Sequence, residues 1–244
     1  MAIRFRVVTY NIHKGIGGVD RRYRLPRVIE TLDHCQADIV CLQEVDDGVP
    51  RSKSQDQAQV LAEALAMPYV AYQRNVRLKK GSYGNAILSR YPLADVTHVD
   101  LTVPLKKRRR ALLAHCYVHL EGHRRTILVA SLHLGLAGFE RQIQLRRLLQ
   151  HPLVEHATSR SSVVIGGDYN DVWGTLGKRI MQPAGYRSVS RSIRTFPAVM
   201  PLRPLDRIFY RGPLHARHAF AGHTKTARQA SDHLPLIANF EFEF

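Results

Sequence analysis

Five short apolar runs, spread over nearly the whole chain, each stop at residues able to bind a metal or a phosphate. Arg6–His13 (RVVTYNIH) closes on Asn11 and His13, Ile39–Glu44 (IVCLQE) on Glu44, and Ile127–His133 (ILVASLH) on His133. Ser162–Asp171 (SVVIGGDYND) carries Asp168, Asn170 and Asp171, and Pro204–Asp206 (PLD) is followed near the C-terminus by Ser231–His233 (SDH). β-branched runs of this length read as buried strands. A strand that ends on a polar side chain holds that group at the rim of a sheet. Gly166-Gly167 reads as the break after Val163-Val164-Ile165, with a turn presenting the three Asx residues. Any one stretch alone would be satisfied by an Asx turn capping its own backbone; five with the same grammar in one chain ask for more than that.

The remaining pattern supplies strands and a few helices. Arg4–Ile12, Asp38–Val45, Asp206–Tyr210 and Leu234–Phe244 read as strands, the last with Phe240, Phe242 and Phe244 on one face. Tyr69–Gln73 and Asn85–Leu88 form a pair around the basic turn Arg77–Tyr83. Ala111–Leu120 and Thr126–Leu134 form a hairpin across Glu121-Gly122-His123. Apolar residues at helical spacing predict helices over 24–36, 56–66 and 139–150. The region 173–199 reads as irregular. With strands dominant and several apolar on both faces, the expectation is an α+β chain with two sheets packed together and helices outside. At 244 residues it fits a single domain spanning 1–244.

Charge narrows the partner. Lys and Arg number 36 against 20 Asp and Glu, a formal net charge of +16. Arginine predominates, and its planar fork suits phosphate oxygens. A polyanion is the expected partner, either nucleic acid or an anionic membrane surface. Three scattered cysteines form no disulfide framework, and the N-terminal apolar stretch is too short for a secretory signal. The expectation is a cytoplasmic monomer with reduced, mostly buried thiols.

Taken in order, TYN, QE, LHL, GDYN, LDR and SDH resemble the motifs of the endonuclease/exonuclease/phosphatase superfamily, over Thr9–Pro235. That resemblance implies a four-layer αββα sandwich of two mixed sheets, deoxyribonuclease-I-like, with the active site at one end. It also implies hydrolysis of phosphate esters with Mg²⁺ or Mn²⁺. Glu44 matches the metal carboxylate, and a charge at the end of so apolar a run demands a partner. Asn11 matches an amide that holds metal or phosphate, and Asp232 a position near the metal. His233 matches the general base, with Asp206 orienting its ring as in other carboxylate–imidazole pairs. Asp168 matches the carboxylate that positions or deprotonates the water, Asn170 an adjoining amide, and His133 the histidine that donates to a phosphate oxygen or the leaving group. Tyr83 and Asn85, in GSYGNAILSR, match a segment that approaches substrate. Of KKRRR (106–110), Arg109 or Arg110 matches an arginine before a strand, with Arg110 the choice for substrate.

The resemblance fixes reaction type better than substrate. Abasic-site nucleases follow QE with a small residue and Lys, whereas this chain reads QEVDD. The leading expectation is a phosphodiesterase or nuclease acting on nucleic acid. The alternatives are a phospholipid or inositol-phosphate hydrolase and a catalytically idle basic nucleic-acid-binding module.

Overall fold

A computed structural model describes residues 4–120, 122–157, 161–189 and 192–242. Phe244 and Glu121, named above, lie outside them. The first sheet holds β1 (Arg4–Asn11), β2 (Ile39–Asp47), β3 (Tyr69–Arg77), β4 (Ser82–Ser89), β11 (Leu214–Ala221) and β12 (Leu236–Phe242). Its order is β11-β12-β1-β2-β4-β3. The second holds β5 (Leu93–Asp100), β6 (Arg110–Leu120), β7 (His123–His133), β8 (Ser162–Asp168), β9 (Arg187–Ser188) and β10 (Asp206–Arg211), in the order β5-β6-β7-β8-β10-β9. Each sheet has one parallel pair at its centre, β1 with β2 and β7 with β8, and is otherwise antiparallel. Both sheets are therefore mixed, as expected.

Three apolar layers separate the elements. Between the sheets, Phe5, Val7, Ile39 and Ile87 meet Leu112, Val129, Val164 and Ile208. Outside the first sheet, Val8, Tyr10 and Leu42 pack on α1 (Leu25–Cys35) and α2 (Gln57–Ala64). Outside the second, Leu128, Ile165 and Phe209 pack on α3 (Gly138–Leu149) and α4 (Pro152–Glu155). Successive strand residues point to opposite faces, so a strand covered on both sides is buried throughout; β4 and β8 are such strands. The result is the αββα sandwich. Among the described residues no helix is long and apolar enough to cross a membrane. Cys35, Cys41 and Cys116 are all free and buried, and burial pushes the three thiols up to about 12, 12 and 11.

Several local expectations change. Gly166-Gly167 does not end the strand, since β8 pairs with β7 and β10 as far as Asp168. The glycines serve close approach: a Cβ at Gly166 would lie 3.2 Å from Thr9 across the sandwich, and one at Gly167 2.2 Å from the Leu132 carbonyl oxygen. The basic turn shrinks because β3 runs to Arg77 and β4 starts at Ser82. The edge strands β5 and β11 escaped the apolar pattern because they are half exposed and polar; charged side chains are common on sheet edges, where they discourage pairing with other chains. Region 173–199 contains a helical turn at Gly177–Met181 and the short β9. A short helix, α5 (Ala227–Ala230), precedes β12.

Candidate active site

The C-terminal ends of β1, β2, β7 and β8 meet the N-terminal ends of β10 and of the segment leading into β12. This convergence follows from the strand directions and gathers residues separated by up to 222 positions. Asp168, the last residue of β8, lies at the centre and is 2% exposed. Its Oδ2 accepts a hydrogen bond from Asn11 Nδ2 at 3.1 Å. The same oxygen faces His133 Nε2 at 3.4 Å and His233 Nε2 at 3.7 Å. Its Oδ1 accepts from the Asn170 backbone N–H at 2.9 Å. Burial, reinforced by Asp206 and opposed by His233, pushes the Asp168 carboxyl up to about 6.

Asp206 opens β10 opposite Asp168 in register. His233 Nδ1 donates to Asp206 Oδ2 at 2.8 Å, which turns Nε2 towards Asp168. Thr195 Oγ1 donates to the same Asp206 oxygen at 2.5 Å. Burial opposes a charge on His233, but the Asp206 and Asp168 carboxylates outweigh it and push the imidazole up to about 10. The Phe196 ring lies 4.9 Å from the imidazole, centroid to centroid, and helps fix its plane. Thr195 and Phe196 escaped sequence reading because they fall in the stretch read as irregular.

Glu44 projects from β2 at a bulge that shifts the register against β4, with a left-handed φ of 57°. Such a backbone is costly for a side-chain-bearing residue, and here it turns the carboxylate out of an apolar strand to the rim. Glu44 Oε2 accepts from Lys14 Nζ, and Oε1 lies 3.9 Å from His133 Nδ1. Burial opposes ionisation, His133 and Lys14 favour it, and the carboxyl is held down at about 2. His133 itself is driven well below the usual imidazole value by burial and by the Arg109 guanidinium.

The other expected residues divide. Tyr83 is buried, with Lys107, Arg51 and Lys14 cations 5.2, 5.4 and 5.9 Å from its ring centroid. Asn85 lies between the sheets, donating to the Arg110 carbonyl at 3.0 Å, while its buried Oδ1 has no partner. It adjoins a polar pillar through the sandwich, in which Gln43 donates to Ser131 Oγ at 3.2 Å and Ser131 donates to the Leu42 carbonyl at 3.0 Å. Asn170 Nδ2 donates to the Leu134 carbonyl at 3.0 Å and ties two rim loops together. Asp171 serves as a turn cap for Thr175 and the Leu176 N–H. Asp232 stands apart from the central group, its Oδ1 3.3 Å from Ser231 Oγ and 3.9 Å from His13 Nδ1. Arg110 corrects the expectation: its side chain donates to the Arg74 carbonyl at 3.2 Å. Its neighbour Arg109 is the buried one, carries an Nε without a partner, and acts on His133. Alternation along the chain sends adjacent side chains to opposite sides, so only one of the two can face the site.

The donor set suits a hard divalent cation. Ligand atoms of Asp168, Asp206 and His233 lie within 4.8 Å of one another, and Asp206 Oδ1 is buried without a partner. Glu44 and Asn11 add a carboxylate and an amide oxygen at the same rim. No described cysteine takes part, and oxygen-rich donors of this kind favour Mg²⁺ or Mn²⁺ over softer ions.

Comparison with known proteins agrees. Residues 8–233 match the Endonuclease/Exonuclease/phosphatase family. The uncharacterized protein YbhP of Escherichia coli K12 is 34% identical over 246 residues, covering 96% of this chain and 95% of its own. Among solved structures, an endonuclease/exonuclease/phosphatase from Beutenbergia cavernae superposes with a TM-score of 0.81 at 21% identity, covering 98% of this chain and 72% of that one. ANGEL2, a 2',3'-cyclic phosphatase in complex with adenosine-2',3'-vanadate, superposes at 0.76 with 19% identity, covering 100% and 97%. The extent of these matches, together with the rim of carboxylates and histidines, places the chain in the endonuclease/exonuclease/phosphatase family, whose members hydrolyse phosphate esters.

Proposed function

We propose that the protein is a Mg²⁺- or Mn²⁺-dependent phosphodiesterase. The observation that carries this reading is the buried Asp206–His233 pair aimed at Asp168, with His133 on the other side of the same carboxylate oxygen. A water seated between Asp168 Oδ2 and His233 Nε2 meets the carboxylate as its base, with the charged imidazole beside it. Its oxygen forms the new bond to phosphorus, its proton passes to this pair, and the ester P–O bond to the leaving oxygen breaks. Asp206 balances the charge that His233 carries. The carboxyl and imidazole titrate as one unit, so neither alone owns the proton. Neutral His133 donates a hydrogen bond to a phosphoryl or leaving oxygen, and Arg109 compensates negative charge behind it.

Glu44 and Asn11 at the rim, with Asp232 further out, would hold the divalent ion, which when bound neutralises phosphoryl charge. Lys14 pairs with Glu44 at this rim and supplies a cation for a phosphate there. The expected polyanion is nucleic acid, supported by the charge of +16 and its arginine bias. A phospholipid headgroup is the second reading, favoured by the apolar side chains exposed around the site. An idle binding module is disfavoured, because binding alone does not require Glu44, Asp168, Asp206 and His233 to converge.

The test is hydrolysis of a chromogenic phosphodiester and its monoester with Mg²⁺, Mn²⁺ or chelator. Diester cleavage that needs the metal supports the reading. A preference for the monoester replaces it with a phosphatase, and cleavage undiminished by chelator removes the metal.

A further inference from the structure

The two ends of the sandwich differ in what they expose. Loops at the catalytic end carry Leu105, Leu136, Trp173, Val199, Met200 and Leu202, all exposed; Leu105 is as open as in a free peptide at 104% and Trp173 stands at 85%. Tyr69, which starts β3, lies at the opposite end, and Val96 and Phe220 lie within the edge strands β5 and β11. Folding does not need these tips buried, and water opposes their clustering on one face.

One tip is built rigidly onto the catalytic pair. Phe196 and Arg203 exchange backbone hydrogen bonds of 3.1 and 2.8 Å, which closes the loop that carries Val199, Met200 and Leu202. The Ala198 N–H donates to the Asp232 carbonyl at 2.7 Å, and Phe196 packs on His233. Opposite it, Leu105 is followed by exposed Lys106, Lys107 and Arg108, and Lys106 Nζ lies 5.4 Å over the Phe139 ring. Exposed Arg203 likewise follows Leu202, so two of the tips carry cations beside them.

We propose that this end docks on an anionic lipid bilayer, which takes the phospholipid reading over the nucleic-acid one and opens the site onto headgroup phosphodiesters; the substrate part of this statement rests on the phosphodiesterase reading above. Apolar tips flanked by Lys and Arg match the boundary between acyl chains and anionic headgroups. Bound single-stranded nucleic acid asks instead for aromatic platforms on which bases stack, and four of the tips are leucine or methionine. A second copy is disfavoured because the cations would face cations.

Trp173 is the sole tryptophan, so it reports directly on the proposed surface. The full chain is mixed with phosphatidylglycerol–phosphatidylcholine vesicles, with phosphatidylcholine vesicles, or with a single-stranded oligonucleotide. A blue shift of Trp173 emission and quenching by brominated acyl chains, seen only with the anionic vesicles, is the expected result. Met200→Ser with Leu202→Ser should abolish the shift, and Lys106→Gln with Arg108→Gln should weaken partition roughly thirtyfold. Both variants should still hydrolyse a soluble chromogenic diester at the wild-type rate. A shift with the oligonucleotide but not with vesicles overturns the proposal in favour of nucleic acid. Equal partition onto neutral and anionic vesicles, or partition unchanged in both variants, also overturns it. Docking without any diester hydrolysis leaves the bilayer surface standing and removes the phosphodiesterase reading alone.

Discussion

His133 and His233 face one oxygen of Asp168 from two sides, at 3.4 and 3.7 Å, and both are buried. Their charges are nevertheless set in opposite directions. Burial and Arg109 keep His133 neutral, whereas Asp206 and Asp168 override burial and keep His233 charged up to about 10. Equal burial with opposite outcomes shows that burial alone does not decide the state of an imidazole: at His233 the carboxylate hydrogen-bonded at 2.8 Å outweighs it. The site thus has a proton-holding wall, formed by Asp206 and His233, and a neutral donor wall, formed by His133 with Arg109 behind it and Glu44 beside it.

Removing the first wall should have the largest effect. His233→Ala should lower diester turnover roughly 10²- to 10⁴-fold, and a comparable loss in His133→Ala would erase the proposed division of labour. Glu44→Gln should come next, raising the Mg²⁺ or Mn²⁺ concentration for half-maximal rate about a hundredfold, and an unchanged metal titration would remove Glu44 from the site. Asp206→Asn should reduce turnover about a hundredfold with little change in KM. It should also alter stability against pH. The raised folded value of His233 gives stability that is full below the ordinary 6.5 and is lost as pH rises through about 10. Urea midpoints measured in chelator should therefore fall over that window in the wild type and stay flatter in Asp206→Asn; parallel curves would mean that Asp206 does not hold the charge.

Smaller effects sharpen the second wall. Arg109→Gln should raise KM about tenfold and shift the His133 ring titration upward by NMR. Arg110→Gln should do neither; the reverse ranking would restore Arg110 as the substrate arginine. Thr195→Ala should cost about 1 kcal/mol of stability through the lost hydrogen bond to Asp206, read as a lower thermal midpoint with near-normal KM.

Local chemistry explains which parts were legible in the sequence. The central strands were readable because burial on both faces demands continuous β-branched runs, and α1, α2 and α3 because one face must be apolar every third or fourth residue. The edge strands β5 and β11 were not, since polar half-exposed strands lack a contrast between faces. Asn11, His133, Asp168, Asp206 and His233 were named from residue type and order, and the fold brings their side chains together. Arg109 was not separable from Arg110, because which of two adjacent arginines faces inward depends on the register with which β6 starts against β5.

The sequence by itself determined the buried strands and the order of the polar residues that end them, because a strand covered on both faces requires a continuous apolar run. Only the tertiary structure decided the protonation of the two histidines, the inward turn of Arg109, the role of Gly166-Gly167 as a close approach and the gathering of apolar tips at one end. Those properties arise between segments distant in the chain. Their distances, and the electrostatic and packing energies that follow from them, exist only once the strands are in register.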